Sequence, residues 1–95
     1  MRASVLFEQK QPLAVEELEL APPKAGEVRV RMAASGVCHS CLHAADGSWK
    51  GVPVPIVLGD EGSGVVEDVG PGVDTLSIGD HVILSWAPTC GRCHY

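Results

Sequence analysis

Apolar and polar residues alternate most regularly between residues 27 and 33. Val28, Val30 and Met32 fall on one face of this segment, and the arginines between them fall on the other. A period of two is the pattern of a β-strand with one buried and one wet face. We expect this strand to be central in its sheet and to end at Ser35-Gly36, just before the first cysteine.

Four other segments have strand-like patterns. Residues 1–7 are mostly apolar and residues 13–20 alternate, and because Pro12 and Pro22-Pro23 bound them we expect edge or hairpin strands. Residues 64–70 and 80–84 are further predicted strands, separated by turn residues at Pro71-Gly72 and Gly79.

One segment is predicted to be helical. Residues 38–45 can form about two turns, and Asp46-Gly47-Ser48 gives a stop signal after them. Such a short helix needs packing to be stable, and we expect Cys38, Cys41, Leu42 and Ala45 on its packed side. The proline-containing residues 51–58 are predicted to be an extended connector. The fold class is therefore mainly β, with one short helix after a central strand.

Size and charge restrict the function. Ninety-five residues make one small domain and leave no room for a nucleotide-binding domain. A formal charge of -5 argues against nucleic acid or an anionic membrane as partner. The first residues lack the apolar core of a signal peptide or a membrane span, so we expect a cytoplasmic protein.

The cysteines occur as two pairs, Cys38-x2-Cys41 and Cys90-x2-Cys93, which indicate metal or redox sites in a chain without an export signal. A zinc ribbon using both pairs is disfavoured by the long gap between them, and a thioredoxin-like role needs a βαβ context. His39-x3-His43 has the spacing of a zinc-protease pair, but Ser40 stands where that motif needs glutamate.

Two motifs carry a resemblance to a known family. They are Gly36-Val37-Cys38-His39-Ser40-Cys41-Leu42-His43 and Gly59-Asp60-Glu61-x2-Gly64-x5-Gly70. Both resemble the zinc-dependent medium-chain alcohol dehydrogenases. The resemblance covers essentially residues 1–95 and implies a GroES-like, partly open β-barrel. It corresponds to the N-terminal part of a catalytic domain, incomplete here and without its nucleotide-binding domain.

The resemblance also implies site roles. Cys38 would be a zinc ligand, Ser40 would hydrogen-bond the zinc-bound alcohol, and His43 would relay its proton to solvent, as suits an imidazole. His39 matches the position that meets the cofactor pyrophosphate, and Glu61 matches a carboxylate that can ligate zinc transiently. Trp49 and Trp86 match positions that line the alcohol pocket.

The chain departs from the family pattern at two positions. Asp60 stands where the family has a histidine ligand, and Cys41 stands where it has the aspartate behind that histidine. Three outcomes are open: Asp60 ligates zinc, Cys41 becomes a ligand, or no catalytic metal binds. We expect weakened or absent zinc, because the family's third protein ligand lies beyond residue 95.

The second cysteine pair resembles the start of the family's structural zinc site. Cys90 and Cys93 would supply two ligands, and a closed structural site needs four. This chain therefore cannot complete the site alone. A frayed terminus is the simpler expectation for these residues.

The functional hypothesis is a fragment of an alcohol dehydrogenase, inactive by itself. The family oxidises an alcohol to an aldehyde or ketone with NAD(P), which would bind only with the missing domain. The partner would be a small alcohol or aldehyde. The alternative is an isolated, non-catalytic GroES-like β domain that self-associates as a homo-oligomer or binds metal.

Overall fold

Six strands and one helix make up the described part of the chain. The computed structural model describes residues 1–88 and residue 90. Its elements are, in order, β1 (Arg2–Leu6), β2 (Ala14–Glu17), β3 (Val28–Ser35), α1 (His39–Asp46), β4 (Ile56–Val57), β5 (Gly62–Val69) and β6 (His81–Leu84).

The strands form two three-stranded antiparallel sheets. One has the order β2-β1-β4 and the other has the order β3-β5-β6. Within the described residues the two sheets do not close into a continuous barrel. The mainly β, partly open fold with one helix is therefore confirmed, and β1 and β2 pair as the expected hairpin.

The predicted position of β3 within its sheet is wrong. β3 lies at the edge of its sheet, where a central strand was expected, and β5 lies in the centre. The physical reason is that β5 pairs on both sides, with β3 and with β6, whereas β3 pairs only with β5 among the described strands. β1 is likewise central, because the short strand β4, within the predicted connector, pairs with its second side.

Two irregularities interrupt the pairing of β3 with β5. The register with β5 shifts between Arg29 and Val30 and again between Met32 and Ala34. A bulge inserts an unpaired residue and changes the face that later side chains take. Val28 and Val30 are half-buried, and Met32, before the second shift, is exposed.

The core is small. Among the described residues, the buried hydrophobic side chains are those of Val5 and Leu6 on β1, Val66 on β5 and Ala44 on α1. Leu42 was expected on the packed side of the helix and is exposed. It lies two positions from Ala44, and residues two apart on a helix point in different directions.

The helix begins and ends close to the predicted positions. Cys38 is its N-cap with extended backbone angles, and Gly47 follows its last residue with φ 88°. Glycine is the residue that adopts this left-handed conformation without steric cost. Across the described residues, no helix has the length and apolar character needed to cross a bilayer.

Candidate active site

The candidate site forms where the start of α1 meets the residues just before β5. Ser40 donates a hydrogen bond from its hydroxyl to Oδ2 of Asp60. Sγ of Cys38 lies 2.9 Å from the same hydroxyl, and Sγ of Cys41 donates to Oδ2 of Asp60 at 3.7 Å. Three residues of the first helical turn and its cap therefore converge on one carboxylate that is twenty residues away along the chain.

The direction of these bonds follows from the number of hydrogens available. A serine hydroxyl has one hydrogen, and here Asp60 accepts it. The Ser40 oxygen is then the acceptor in its contact with the Cys38 thiol. Ser40 thus connects the thiol at the helix cap to the carboxylate before β5.

The contacts shift two pKa values in opposite directions. The hydrogen bond from Ser40 is the main cause that lowers the pKa of Asp60 below its ordinary value. Burial raises the pKa of the Cys41 thiol, and the negative charge of Asp60 raises it further. The site therefore favours an ionised Asp60 beside a protonated Cys41.

A cavity of ≈ 550 Å³ opens at this cluster. Its lining residues were all predicted from the sequence to belong to the metal, substrate or catalytic positions: Cys38, Ser40, Trp49, Asp60, Glu61 and Trp86. Both tryptophans are more than half exposed. The cavity is thus open, and thiol, hydroxyl and carboxylate groups line it together with two aromatic rings.

The two histidines predicted for cofactor binding and proton transfer do not line this cavity. The rings of His39 and His43 contact each other, with centroids 4.5 Å apart, and the His43 ring lies 6.2 Å from that of Trp49. Nδ1 of His43 is buried and has no hydrogen-bond partner. The two imidazoles are therefore next to the cavity through Trp49 and not part of its lining.

Gln9 is a positioning residue that the sequence did not reveal. Its Nε2 donates to the backbone carbonyls of Ala44, at 2.9 Å, and Trp49, at 2.6 Å. These bonds tie the loop after β1 to the helix and to the segment that holds a cavity-lining tryptophan. The only available signal was the polar character of a loop residue, which does not distinguish it from its neighbours.

Among residues 1–88 and 90, the donor set is incomplete for a zinc ion. Cys38 and Asp60 provide a thiol and a carboxylate, but within residues 1–88 and 90 no group of three His, Cys, Asp or Glu side chains is arranged to hold a metal. Catalytic zinc sites usually have three protein ligands. Cys93 lies outside the described residues, so its predicted structural zinc site with Cys90 stays a prediction.

Residues 24–95 match the family described as the alcohol dehydrogenase GroES-like domain. The chain belongs to this family. Among curated relatives of this GroES-like domain, an alcohol dehydrogenase class-3 of Drosophila melanogaster is 46% identical over 94 residues. An NDMA-dependent alcohol dehydrogenase of Amycolatopsis methanolica is 50% identical over 95 residues. In both cases the alignment covers 99% of this chain and 25% of the relative, so the chain spans about a quarter of their length.

Solved structures give the same assignment. An alcohol dehydrogenase zinc-binding domain protein from Burkholderia ambifaria has a TM-score of 0.88 and 44% identity to this GroES-like domain. A benzyl alcohol dehydrogenase from Acinetobacter calcoaceticus has a TM-score of 0.87 and 40% identity. Each match covers 98% of this chain and 25% of the other chain. The predicted family and its mainly β fold are therefore confirmed.

Proposed function

We propose that this GroES-like domain, residues 1–95, is part of the catalytic domain of a zinc-type alcohol dehydrogenase. The whole enzyme would oxidise a small alcohol to an aldehyde or ketone with NAD(P), in the cytoplasm. The relatives' names support the reaction class, because they describe alcohol dehydrogenases. The chain by itself is proposed to be inactive.

The observation that supports this proposal most strongly is the contact between the two family motifs. Cys38 and Ser40 belong to the first motif and Asp60 belongs to the second, and their side chains meet in the lining of one cavity. Close packing alone does not require a thiol, a hydroxyl and a carboxylate at one open cavity. This combination is typical of a site that binds and orients a polar ligand.

Ser40 would orient the substrate in this site. Its only hydrogen is donated to Asp60, so its oxygen can accept the O–H of an alcohol in the cavity. Trp49 and Trp86 would contact the apolar part of the alcohol. In this proposal His39 meets the cofactor and His43 accepts the proton on its way to solvent.

Inactivity of the isolated chain has two supports. The chain covers a quarter of the length of its relatives, and its described donor set does not complete a catalytic zinc site. Zinc would act as a Lewis acid on the alcohol when a third ligand is present. Asp60 or Cys41 could each join Cys38 as ligand, with Glu61 at the cavity wall.

Zinc affinity tests the assignment of the two departing positions. The double substitution Asp60→His and Cys41→Asp restores the family's ligand and its supporting carboxylate. We expect zinc affinity to rise about 10- to 100-fold, the size of effect that supporting partners have on metal sites. Competition with a chromophoric chelator measures the dissociation constants.

The control is Asp74→His, which adds an imidazole at an exposed loop position away from the cavity. Its zinc affinity should equal that of the parent chain. An unchanged affinity of the double variant would contradict the catalytic-site assignment. Separately, reduction of NAD or NADP by the purified 95-residue chain with an alcohol would contradict its proposed inactivity.

A second candidate function is a self-associating, non-catalytic β domain. It is favoured by the exposure of large apolar side chains, including Ile83 at 87% and Trp86 at 78%. Exposed apolar side chains often form interfaces where they are contiguous. Sedimentation velocity distinguishes the two: a stable dimer together with no zinc binding in either the parent or the double variant would favour this candidate.

A further inference from the structure

Cys38 and Cys41 form a pair of thiols at the start of α1. Cys38 is the N-cap, so Cys41 is the third helical residue, and its backbone N–H donates to the carbonyl oxygen of Cys38 at 3.1 Å. The Cys38 side chain makes no capping hydrogen bond. Both cysteines are half-buried thiols in the structure. The proposed function gives Cys38 a ligand role and leaves the role of Cys41 open.

The start of a helix brings these two side chains toward each other. The Cα–Cβ bonds of an α-helix tilt toward its N-terminus, so the Cys41 side chain leans back over the cap residue. Because the two intervening residues, His39 and Ser40, are helical, helix dimensions place the Cα atoms of the two cysteines about 5 Å apart. A disulfide needs Cα atoms about 4.4–6.8 Å apart. The backbone therefore holds the pair at a separation that a disulfide can bridge.

The two sulfurs also meet around one hydroxyl and one carboxylate. Sγ of Cys38 lies 2.9 Å from the Ser40 hydroxyl, which donates to Oδ2 of Asp60, and Sγ of Cys41 lies 3.7 Å from the same oxygen. After burial and the charge of Asp60, the charge of Cys38 also raises the pKa of the Cys41 thiol, so the sulfurs lie within electrostatic range of each other.

Both thiols can be reached from solvent. Cys38 lines the open cavity of ≈ 550 Å³, and Cys41 lines a smaller cavity of ≈ 170 Å³. The two cavities share Ser40, Trp49 and Asp60 in their linings, so they are neighbours. A small reagent that enters the larger cavity therefore meets the Cys38 sulfur with Cys41 close behind it.

We propose that Cys38 and Cys41 form a reversible intramolecular disulfide by exchange with a low-molecular-weight disulfide, which makes the start of α1 redox-sensitive. The Cys38 sulfur, having lost its proton to solvent, attacks one sulfur of the small disulfide, whose S–S bond breaks to release one small thiol. Cys41 then loses its proton and attacks the Cys38 sulfur, which releases the second small thiol. The two protein thiols are oxidised by two electrons, and the small disulfide is reduced to two thiols.

The disulfide would compete with metal binding at the candidate site. This consequence rests on the proposed function, in which Cys38 is a zinc ligand, because a thiolate and not a disulfide sulfur binds the metal. Oxidation would therefore exclude zinc, and bound zinc would protect the pair from oxidation. The second thiol comes from the departure at position 41, since an aspartate there could not form a disulfide.

Glutathione redox buffers test the disulfide in a chain with Cys90→Ser and Cys93→Ser, in which Cys38 and Cys41 are the remaining cysteines. Iodoacetamide blocks the thiols that remain, and tandem mass spectrometry locates the bonds. With reduced glutathione at about 0.1 mM and an effective concentration in the mM range for two groups on one short segment, the intramolecular disulfide should exceed the mixed disulfide by about 10-fold or more. Dithiothreitol should restore both thiols.

The matched control keeps two cysteines but separates them, by combining Cys41→Ser with Asp46→Cys in the same background. Position 46 is exposed at the end of α1, and its distance from the cap along the helix axis is about 12 Å. This chain should stop at mixed disulfides, as should the single variants Cys38→Ser and Cys41→Ser. Absence of a bond between Cys38 and Cys41, or equal closure in the chain with separated cysteines, would overturn the proposal.

Zinc affinity separates the disulfide from the proposed function. In the same background, Asp60→His supplies the ligand of the family pattern, and competition with a chelator measures zinc affinity before and after oxidation. We expect oxidation to lower the affinity by at least about 10-fold, the smaller effect seen when a metal site loses a supporting partner. An unchanged affinity in the oxidised chain would contradict the ligand role of Cys38 and leave the disulfide established. A chain that forms no disulfide would refute the redox sensitivity and leave the proposed dehydrogenase function untouched.

Discussion

The two ends of the glycine-rich segment from residue 59 to residue 70 differ in what they contribute. At the first end, Asp60 accepts hydrogen bonds from the start of α1. At the other end the glycines lie against backbone. A Cβ on Gly64 would overlap the carbonyl of Arg31, and a Cβ on Gly70 would overlap that of Lys24.

Gly59 differs from both of these glycines. A Cβ at this position would meet no atom within 4 Å. The glycines of this motif therefore differ in their surroundings: Gly64 and Gly70 leave no space for a side chain, whereas Gly59 does. Gly64, in the interior of the motif, allows β5 to pack closely on β3. The beginning of the motif presents the carboxylate of Asp60 to the start of α1. Fold and chemistry should accordingly be separable by mutation.

The largest expected effect tests the packed end. Gly64→Ala places a methyl group against the β3 backbone, which cannot move as a flexible side chain would. We expect the free energy of unfolding to fall by about 2 to 3 kcal/mol, as for other overpacking substitutions. Urea denaturation followed by circular dichroism measures the change.

The open end supplies the matched control for this substitution. Gly59→Ala meets no neighbour and should change the free energy of unfolding by less than about 0.5 kcal/mol. If both substitutions destabilised the chain equally, the proposed division of the segment would fail. If neither did, the close approach of β5 to β3 would be wrong.

The sequence predicted those features that depend on local pattern. The alternation of residues 27–33 located β3, and the glycine at position 47 marked the end of α1. The order of strands was not predictable from alternation, because a strand at an edge and one in the centre can share a pattern. β4 was missed because two residues beside Pro55 are too short to show a period.

The candidate site also has features that the sequence predicted and features that it did not. The family resemblance indicated site positions, and six of these side chains line one cavity. The hydrogen bond from Ser40 to Asp60 could not be predicted, because the family has a histidine where this chain has Asp60. Gln9 was missed for another reason: its bonds span 35 and 40 residues, and no local pattern encodes such distant contacts.

The second prediction tests the chemical end through Cys41. The charge of Asp60 contributes to the raised pKa of the Cys41 thiol, after the larger contribution of burial. Asp60→Asn removes the charge and keeps the shape, so the Cys41 pKa should fall while remaining raised by burial. Alkylation of Cys41 by iodoacetamide, located by tandem mass spectrometry, should become faster below the parent pKa.

Glu61→Gln is the control for this experiment. Glu61 is the adjacent carboxylate, but it does not contribute to the Cys41 shift. Its removal should leave the pH dependence of Cys41 alkylation as it is in the parent chain. An equal change in both variants would mean that general charge, and not the Asp60 contact, sets the reactivity of Cys41.

The smallest expected effect concerns acid stability. The Asp60 pKa is lowered in the folded chain from its ordinary 3.8, chiefly by the Ser40 hydrogen bond. A lowered carboxyl pKa stabilises the fold above the ordinary value, and this contribution is lost as pH falls through the folded pKa. Ser40→Ala removes the main cause, so its unfolding free energy should fall less than that of the parent between about pH 6 and about pH 3. Asp46 also has a lowered pKa and contributes with the same sign in both chains, so the difference between the two urea-denaturation profiles isolates Asp60. Parallel profiles would show that the bond joining the two motifs contributes nothing to acid stability.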